Sequence, residues 1–412
     1  MKRITVTRKT WIGSAIGIAV AASAFALSLS NSDRKLASSG GFVRDGKAGF
    51  VVSDFNYALG PDHEETGACR TGLSKSSEEI FSESAAGRRR PNESDEDYSR
   101  RIREGGQAIA EFDDGTHYCT RPDLAPRDTH NRLLVDADAP AEGIDLDGTI
   151  SRSTRDRRAL RLDFNGIDGA KGVDNQFWRL VGCTRSYQSD GISRGGLTTG
   201  MFTGAWGIVI TLDDVEDIKN DAHVEVGIHA NADPIELSPT REALDYATYA
   251  IDQDPKFRAT TRGRIEDGVL ISEPVDVRFH HDVNSMYLER PIRDARIRAT
   301  LSANGVLTGY LSGYSPILEF YDLQFAYRNG KNADGTPSPF KRVVNSADGA
   351  SNALGHTCQG MYQAMHRLAD GHPDPKSGKF TSLSTQYRFE ARPAFVVDVD
   401  TKSKNEKLVR DE

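Results

Sequence analysis

Residues 161–183 read RLDFNGIDGAKGVDNQFWRLVGC, which places Asp163, Asn165, Asp168, Asp174 and Asn175 in one short, glycine-rich run. Carboxylate and amide oxygens at such spacing, on a backbone that glycine lets turn tightly, suit calcium, which takes roughly six to eight oxygen ligands. A second acidic run, DADAPAEGIDLDG at 136–148, adds Asp136, Asp138, Asp145 and Asp147. Neither run has the glutamate at a fixed later position that an EF-hand needs. Both look like the irregular D-x-D-G calcium loops of many secreted proteins, a likeness of loop chemistry and not of family. Calcium is expected at these acids, either in two sites or in one that both runs share. The competing reading is that Asx and glycine residues simply build turns.

Other residue groups carry less specific chemistry. Gly191, Ser193 and Gly195 fit G-x-S-x-G, a nucleophile motif that needs a strand before it and a helix after it. Here YQSD precedes, and GLTTGMFTG, read as a strand, follows; a glycine turn is expected. His280, His281 and Asp282 could hold a metal with His223 or His229. Adjacent strand residues point to opposite faces, which argues against that cluster. Trp178, Trp206, Tyr310 and Tyr314 could stack on sugar rings, although the two tryptophans sit among apolar strand residues and read as core. Two carboxylates at a suitable separation could hydrolyse glycosides, but 60 acidic residues offer too many pairs to nominate one.

Short strands must position these groups. Expected strands are 207–212, 223–228, 275–279, 295–301, 306–311 and 386–390. In ARIRATL, Ile297, Ala299 and Leu301 alternate with polar neighbours, as a sheet with one wet face requires. Asn304-Gly305 suits the tight turn of a hairpin over 295–311. GLTTGMFTG (196–204) and GVLTGYLSG (305–313) share glycines at their first, fifth and ninth places. On strands these would form tracks that another backbone could approach closely. One apolar stripe, Leu354, Cys358, Met361, Met365 and Leu368, predicts a helix over 352–371 with Gly371 as its C-cap. A charged helix is expected near 74–103, broken by Gly87 and Pro91. The fold class is mainly β: a two-layer antiparallel sandwich, jelly-roll or lectin-like, with one or two packed helices.

Lys2, Arg3, Arg8 and Lys9 precede an apolar run, residues 11–30, with Ala24 and Ala26 spaced for signal-peptidase cleavage. A signal peptide over 1–26 is expected; an uncleaved anchor, which alone would bring a membrane contact, is the other reading. The expected organisation continues with a loosely organised polar region (27–155), a β-sandwich (156–400) and a charged tail (401–412). Losing four basic residues with the leader takes the net charge from −8 to −12. That sign argues against nucleic acid as a partner. Cys69, Cys119, Cys183 and Cys358 suit two disulfides in an oxidising compartment, expected as 69–119 and 183–358. The composite expectation is a periplasmic or extracellular, calcium-stabilised protein that binds or scaffolds at the cell envelope, with a glycan or an envelope protein as partner. A secreted hydrolase of polysaccharide or ester bonds is the alternative.

Overall fold

A computed structural model of the chain describes residues 41–135, 138–151, 162–283, 286–325 and 344–399. The expected leader, the tail from 401 and Asp136 lie outside those residues. Among the described residues the first elements are strand β1 (Ala48–Tyr57) and helices α1 (His63–Thr66), α2 (Ser77–Glu83) and α3 (Asp95–Ala108). A short ladder of β2 (Phe164–Asn165) and β3 (Lys171–Val173) follows, then α4 (Gln176–Val181) and α5 (Gly196–Phe202). Next come β4 (Ile208–Asp213), β5 (Asp221–Ala230), β6 (Thr248–Ala250), β7 (Arg258–Glu266), β8 (Val269–Ser272), β9 (Val275–Val283), β10 (Met286–Leu301) and β11 (Leu307–Pro316). Helices α6 (Ile317–Phe325), α7 (Val344–Leu354) and α8 (Cys358–Leu368) precede β12 (Gly371–Pro373), β13 (Phe380–Pro393) and β14 (Phe395–Val397).

Hydrogen bonding runs β1-β4-β5-β7-β8-β10-β11-β13, and β13 returns to pair with β1. Every pairing in this circuit is antiparallel. The mainly β, antiparallel character read from the sequence is therefore present, but one sheet closes on itself where two stacked layers were expected. Closure removes exposed strand edges, and eight strands leave an interior that side chains can fill. One interior row runs Ala259, Ile228, Ile210 and Phe50, each opposite the next. A second runs Ile265, Leu270, Ala299, Gly309, Phe389 and Phe55. Phe50, Ile210 and Leu270 are 1% exposed or less, and burying each such side chain stabilises the fold by about 2 kcal/mol.

All six expected strands fall on observed ones; β4, β9 and β11 start within a residue of the expected positions, whereas β5, β10 and β13 start two, nine and six residues earlier. Within the closed circuit, the three strands β1, β7 and β8 have no counterpart among the expected ones. β1 belongs to the region read as loosely organised, and residues on both of its faces are buried, so it shows no polar–apolar alternation. The hairpin over 295–311 is present, with Leu301 opposite Leu307. Its turn is wider than a two-residue loop: Ser302 N–H donates to Val306 O, and Gly305 alone takes a positive φ, +84°. The glycine track holds in one copy only. A Cβ on Gly309 would lie 2.4 Å from Ala299 Cα on the paired strand. The other copy is the helix α5, not a strand.

The helix expected over 352–371 is two. Gly355, at φ +80°, ends α7; Thr357 then caps α8, its hydroxyl accepting from Gly360 N–H at 3.1 Å. Cys358, Met361, Met365 and Leu368 form the buried stripe, Leu354 belongs to the preceding helix, and Gly371 starts β12 instead of capping. The disulfides join Cys69 to Cys183 and Cys119 to Cys358, which reverses the expected pairing. Both tie the N-terminal third to the remainder, and Cys358 pins α8 to that third. Two disulfides fit an oxidising compartment. No helix among the described residues is long and apolar enough to cross a membrane.

Candidate metal centre and the adjoining groove

The acidic run at 163–175 folds as a hairpin. Phe164 pairs with Val173 and Asn165 with Lys171, and Gly169 at φ +87° turns the tip. Asp163 and Asp174 immediately flank the Phe164–Val173 pair, so the ladder brings them side by side at its open end. The second acidic run crosses that end. Carboxylate oxygens of Asp145, Asp147 and Asp174 lie within 4.8 Å of one another, and Asp163 is close enough to share a hydrogen bond with Asp174. The two runs thus converge on one place.

Backbone amides hold each carboxylate. Asp174 Oδ2 accepts from Leu146 N–H at 2.7 Å and Asp147 N–H at 3.3 Å. Asp145 accepts from Gly148 N–H, Asp147 from Thr149 N–H, and Asp163 from Ser151 N–H. Among the described residues no lysine or arginine forms an ion pair with any of the four. Asp174 is 5% exposed. Burial, with the neighbouring charges of Asp163, Asp147 and Asp370, pushes its carboxyl up to about 8 despite the Leu146 amide. Burial likewise raises Asp163. A buried carboxyl raised in this way is relieved by a proton or by a cation held among the acids, and an all-oxygen set of this kind suits a hard divalent ion.

Other sequence-nominated residues do different work. Asn175 caps α4 by accepting from Trp178 N–H at 2.9 Å, and its amide donates to Ala58 O and Glu142 O. Asn165 accepts from Lys171 Nζ across the ladder. Asp168 sits at the hairpin tip and accepts from Ala170 N–H, away from the open end. Asp138 is exposed and outside the cluster. Asp370, from the turn before β12, was not nominated; it adds negative charge beside Asp174. No local sequence signal marks it, because only the packing of β12 on β13 carries it there.

Ser193 lies in a turn between a 3-10 helix and α5, where its side chain meets the Tyr187 hydroxyl. The strand that a nucleophile elbow requires does not precede it. The histidines separate as strand alternation demands. His281 turns inward and stacks on Trp206, while His280 turns out beside Asp252. These, His223 and His229 form no metal-ligating group of three among the described residues. Trp178 and Trp206 are each 2% exposed, so they are core. Tyr310 and Tyr314 stay half-buried.

Tyr310 floors a groove of about 750 Å³ on the outer wall of the barrel, within the size range of small-ligand sites. Ile271 and Arg298 lie beside it, and Asp145 and Asp168 form part of one wall. Asp145 therefore belongs to both the acidic crossing and the groove. Comparison with protein-family models, with curated proteins and with solved structures finds no match for this chain.

Proposed function

We propose that this is an exported binding protein of the cell envelope, periplasmic or extracellular, stabilised by calcium, with a glycan taken in the outer-wall groove. The convergence of Asp145, Asp147, Asp163 and Asp174, held by backbone amides and without an ion pair to lysine or arginine among the described residues, carries this reading. Calcium there ties the 138–151 segment to the β2–β3 hairpin and so shapes the wall of the groove. Its role is structural: the ion is enclosed by protein oxygens supplied from two chain segments, which fixes one against the other. The two disulfides agree with export, and the half-buried Tyr310 offers a ring face to a sugar.

Thermal unfolding of the purified protein, after EGTA and again with excess calcium, tests the metal assignment. Ion binding to the native state alone adds about 2.7 kcal/mol at a hundredfold excess over Kd. The expected result is a clear upward shift of the midpoint with calcium that Asp174→Asn abolishes. An unchanged midpoint would remove calcium from this reading and reduce the acids to turn formers.

A further inference from the structure

We infer that the groove selects an acidic oligosaccharide, one carrying uronate carboxylates, and that calcium at the acidic crossing strengthens its capture. This rests on the glycan-binding reading above and names the class of sugar. Five strands contribute one register row across the outer wall: Arg264 opposite Ile271, Ile271 opposite Arg298, Arg298 opposite Tyr310, and Tyr310 opposite Arg388. Directly opposed residues share a face, so guanidinium groups alternate there with an aliphatic and an aromatic side chain.

The cations in this row are not equally engaged. Arg264 pairs with Glu266 at 2.6 Å, and Arg388 lies 3.6 Å from Glu142. Arg298 is exposed and has neither an ion pair nor a hydrogen bond among the described residues. Arg296, two residues away on the same face, donates through Nη1 to Leu146 O at 2.5 Å, while its Nε is buried without a partner. A planar guanidinium matches a carboxylate in a two-point fork, a geometry a neutral sugar does not use. Tyr310 between Arg298 and Arg388 supplies a face on which a pyranose ring can lie.

Charge complementarity is local. The protein as a whole carries −8, which repels polyanions at long range, so an acidic ligand must be met by a cationic patch. Asp145, Asp168 and Glu273, which also line the groove, oppose that patch. A divalent ion on Asp145, Asp147 and Asp174 cancels the charge of Asp145, the groove acid that belongs to the crossing, and Leu146, which Arg296 holds, lies between two of those ligands. Calcium occupancy and anion affinity are thereby linked, and each must favour the other.

Titration calorimetry on the purified protein decides this, using a tetrasaccharide of alternating glucuronate and N-acetylglucosamine and, as the neutral probe, chitotetraose. In calcium the acidic sugar should bind at least about tenfold tighter than the neutral one. Arg298→Glu should weaken it by at least about tenfold with an unchanged melting profile, and EGTA should weaken it in the wild type. Equal affinity for both sugars, lost in Tyr310→Ala, would overturn acid selectivity and leave the groove a glycan site. Acidic-sugar binding that ignores Arg298→Glu would overturn the location, and binding that ignores EGTA would overturn the link to calcium. No binding of either sugar would overturn this inference and the glycan reading together, whatever calcium does to the melting profile.

Discussion

Two buried ionisable groups in this protein are handled in opposite ways. Arg290, 2% exposed inside the barrel, donates through Nη1 to the Tyr57 and Tyr387 hydroxyls at 3.3 and 3.2 Å and through Nε to His281 Nδ1 at 3.3 Å. Its guanidinium also lies against the rings of Tyr57, Tyr387 and Trp206. Burial, then the Arg290 charge, holds His281 well below the usual imidazole range, so it stays neutral and can accept. Burial pushes Tyr57 up to about 12, which keeps it a phenol. Asp174, buried to a similar degree, faces other carboxylates instead. The barrel supplies a buried cation with neutral acceptors and π faces, whereas the acidic crossing asks for a proton or metal from outside.

The largest effect should come from the self-sufficient charge. Arg290→Ala leaves three acceptors without their donor and opens a cavity, which should cost about 3–5 kcal/mol in urea unfolding, equally with calcium and with EGTA. A loss that calcium reverses would break the contrast. Next, Asp174→Asn should remove the calcium-dependent stabilisation, about 2–3 kcal/mol at saturating ion, while leaving stability in EGTA near that of the wild type at neutral pH.

The pH dependence should also separate the two regions. In EGTA the folded protein holds a proton on Asp174 up to about pH 8, while the unfolded chain releases it near the ordinary value of 3.8. The native state then binds more protons, so this contribution to stability is full below about pH 4 and is lost as pH rises through about 8. Unfolding midpoints in EGTA should fall across that window. Calcium replaces the proton and should flatten the fall, with its own affinity rising toward pH 8. A profile that is the same with and without calcium would place the ion elsewhere. The smallest effect should be at the hairpin tip: Asp168→Ala loses one bond to Ala170 N–H, about 0.5–1 kcal/mol, and should leave the calcium-induced shift intact.

Much of the sheet was legible because local chemistry and tertiary environment agree. Where one face of a strand is wetter, as in ARIRATL, alternation marks it, and Asn304-Gly305 marks the turn that follows. β1 was missed because its two faces are both covered, one by the barrel interior and the other by later elements. The split at Gly355 and the helical state of GLTTGMFTG were missed for a related reason. Glycine permits a strand track, a helix end or a close helix contact, and the neighbours select among them. At the candidate site, the acids of both runs were visible as oxygen-rich stretches. Their division into converging carboxylates, caps and tip residues was not, since Asn175 and Asp174 are adjacent in sequence and differ only in what they face.

The sequence by itself determined that strands dominate, that carboxylate and amide side chains concentrate in two runs, and that four cysteines suit two bridges. Each of these is a property of composition or short-range spacing. The tertiary structure decided the rest: closure of the sheet through β1 and β13, the pairing of Cys69 with Cys183 and Cys119 with Cys358, and the meeting of Asp145 and Asp147 with Asp163 and Asp174. These depend on which distant segments share a surface, and pairing between remote strands and loops is set by the packing of the whole chain, not by any local preference.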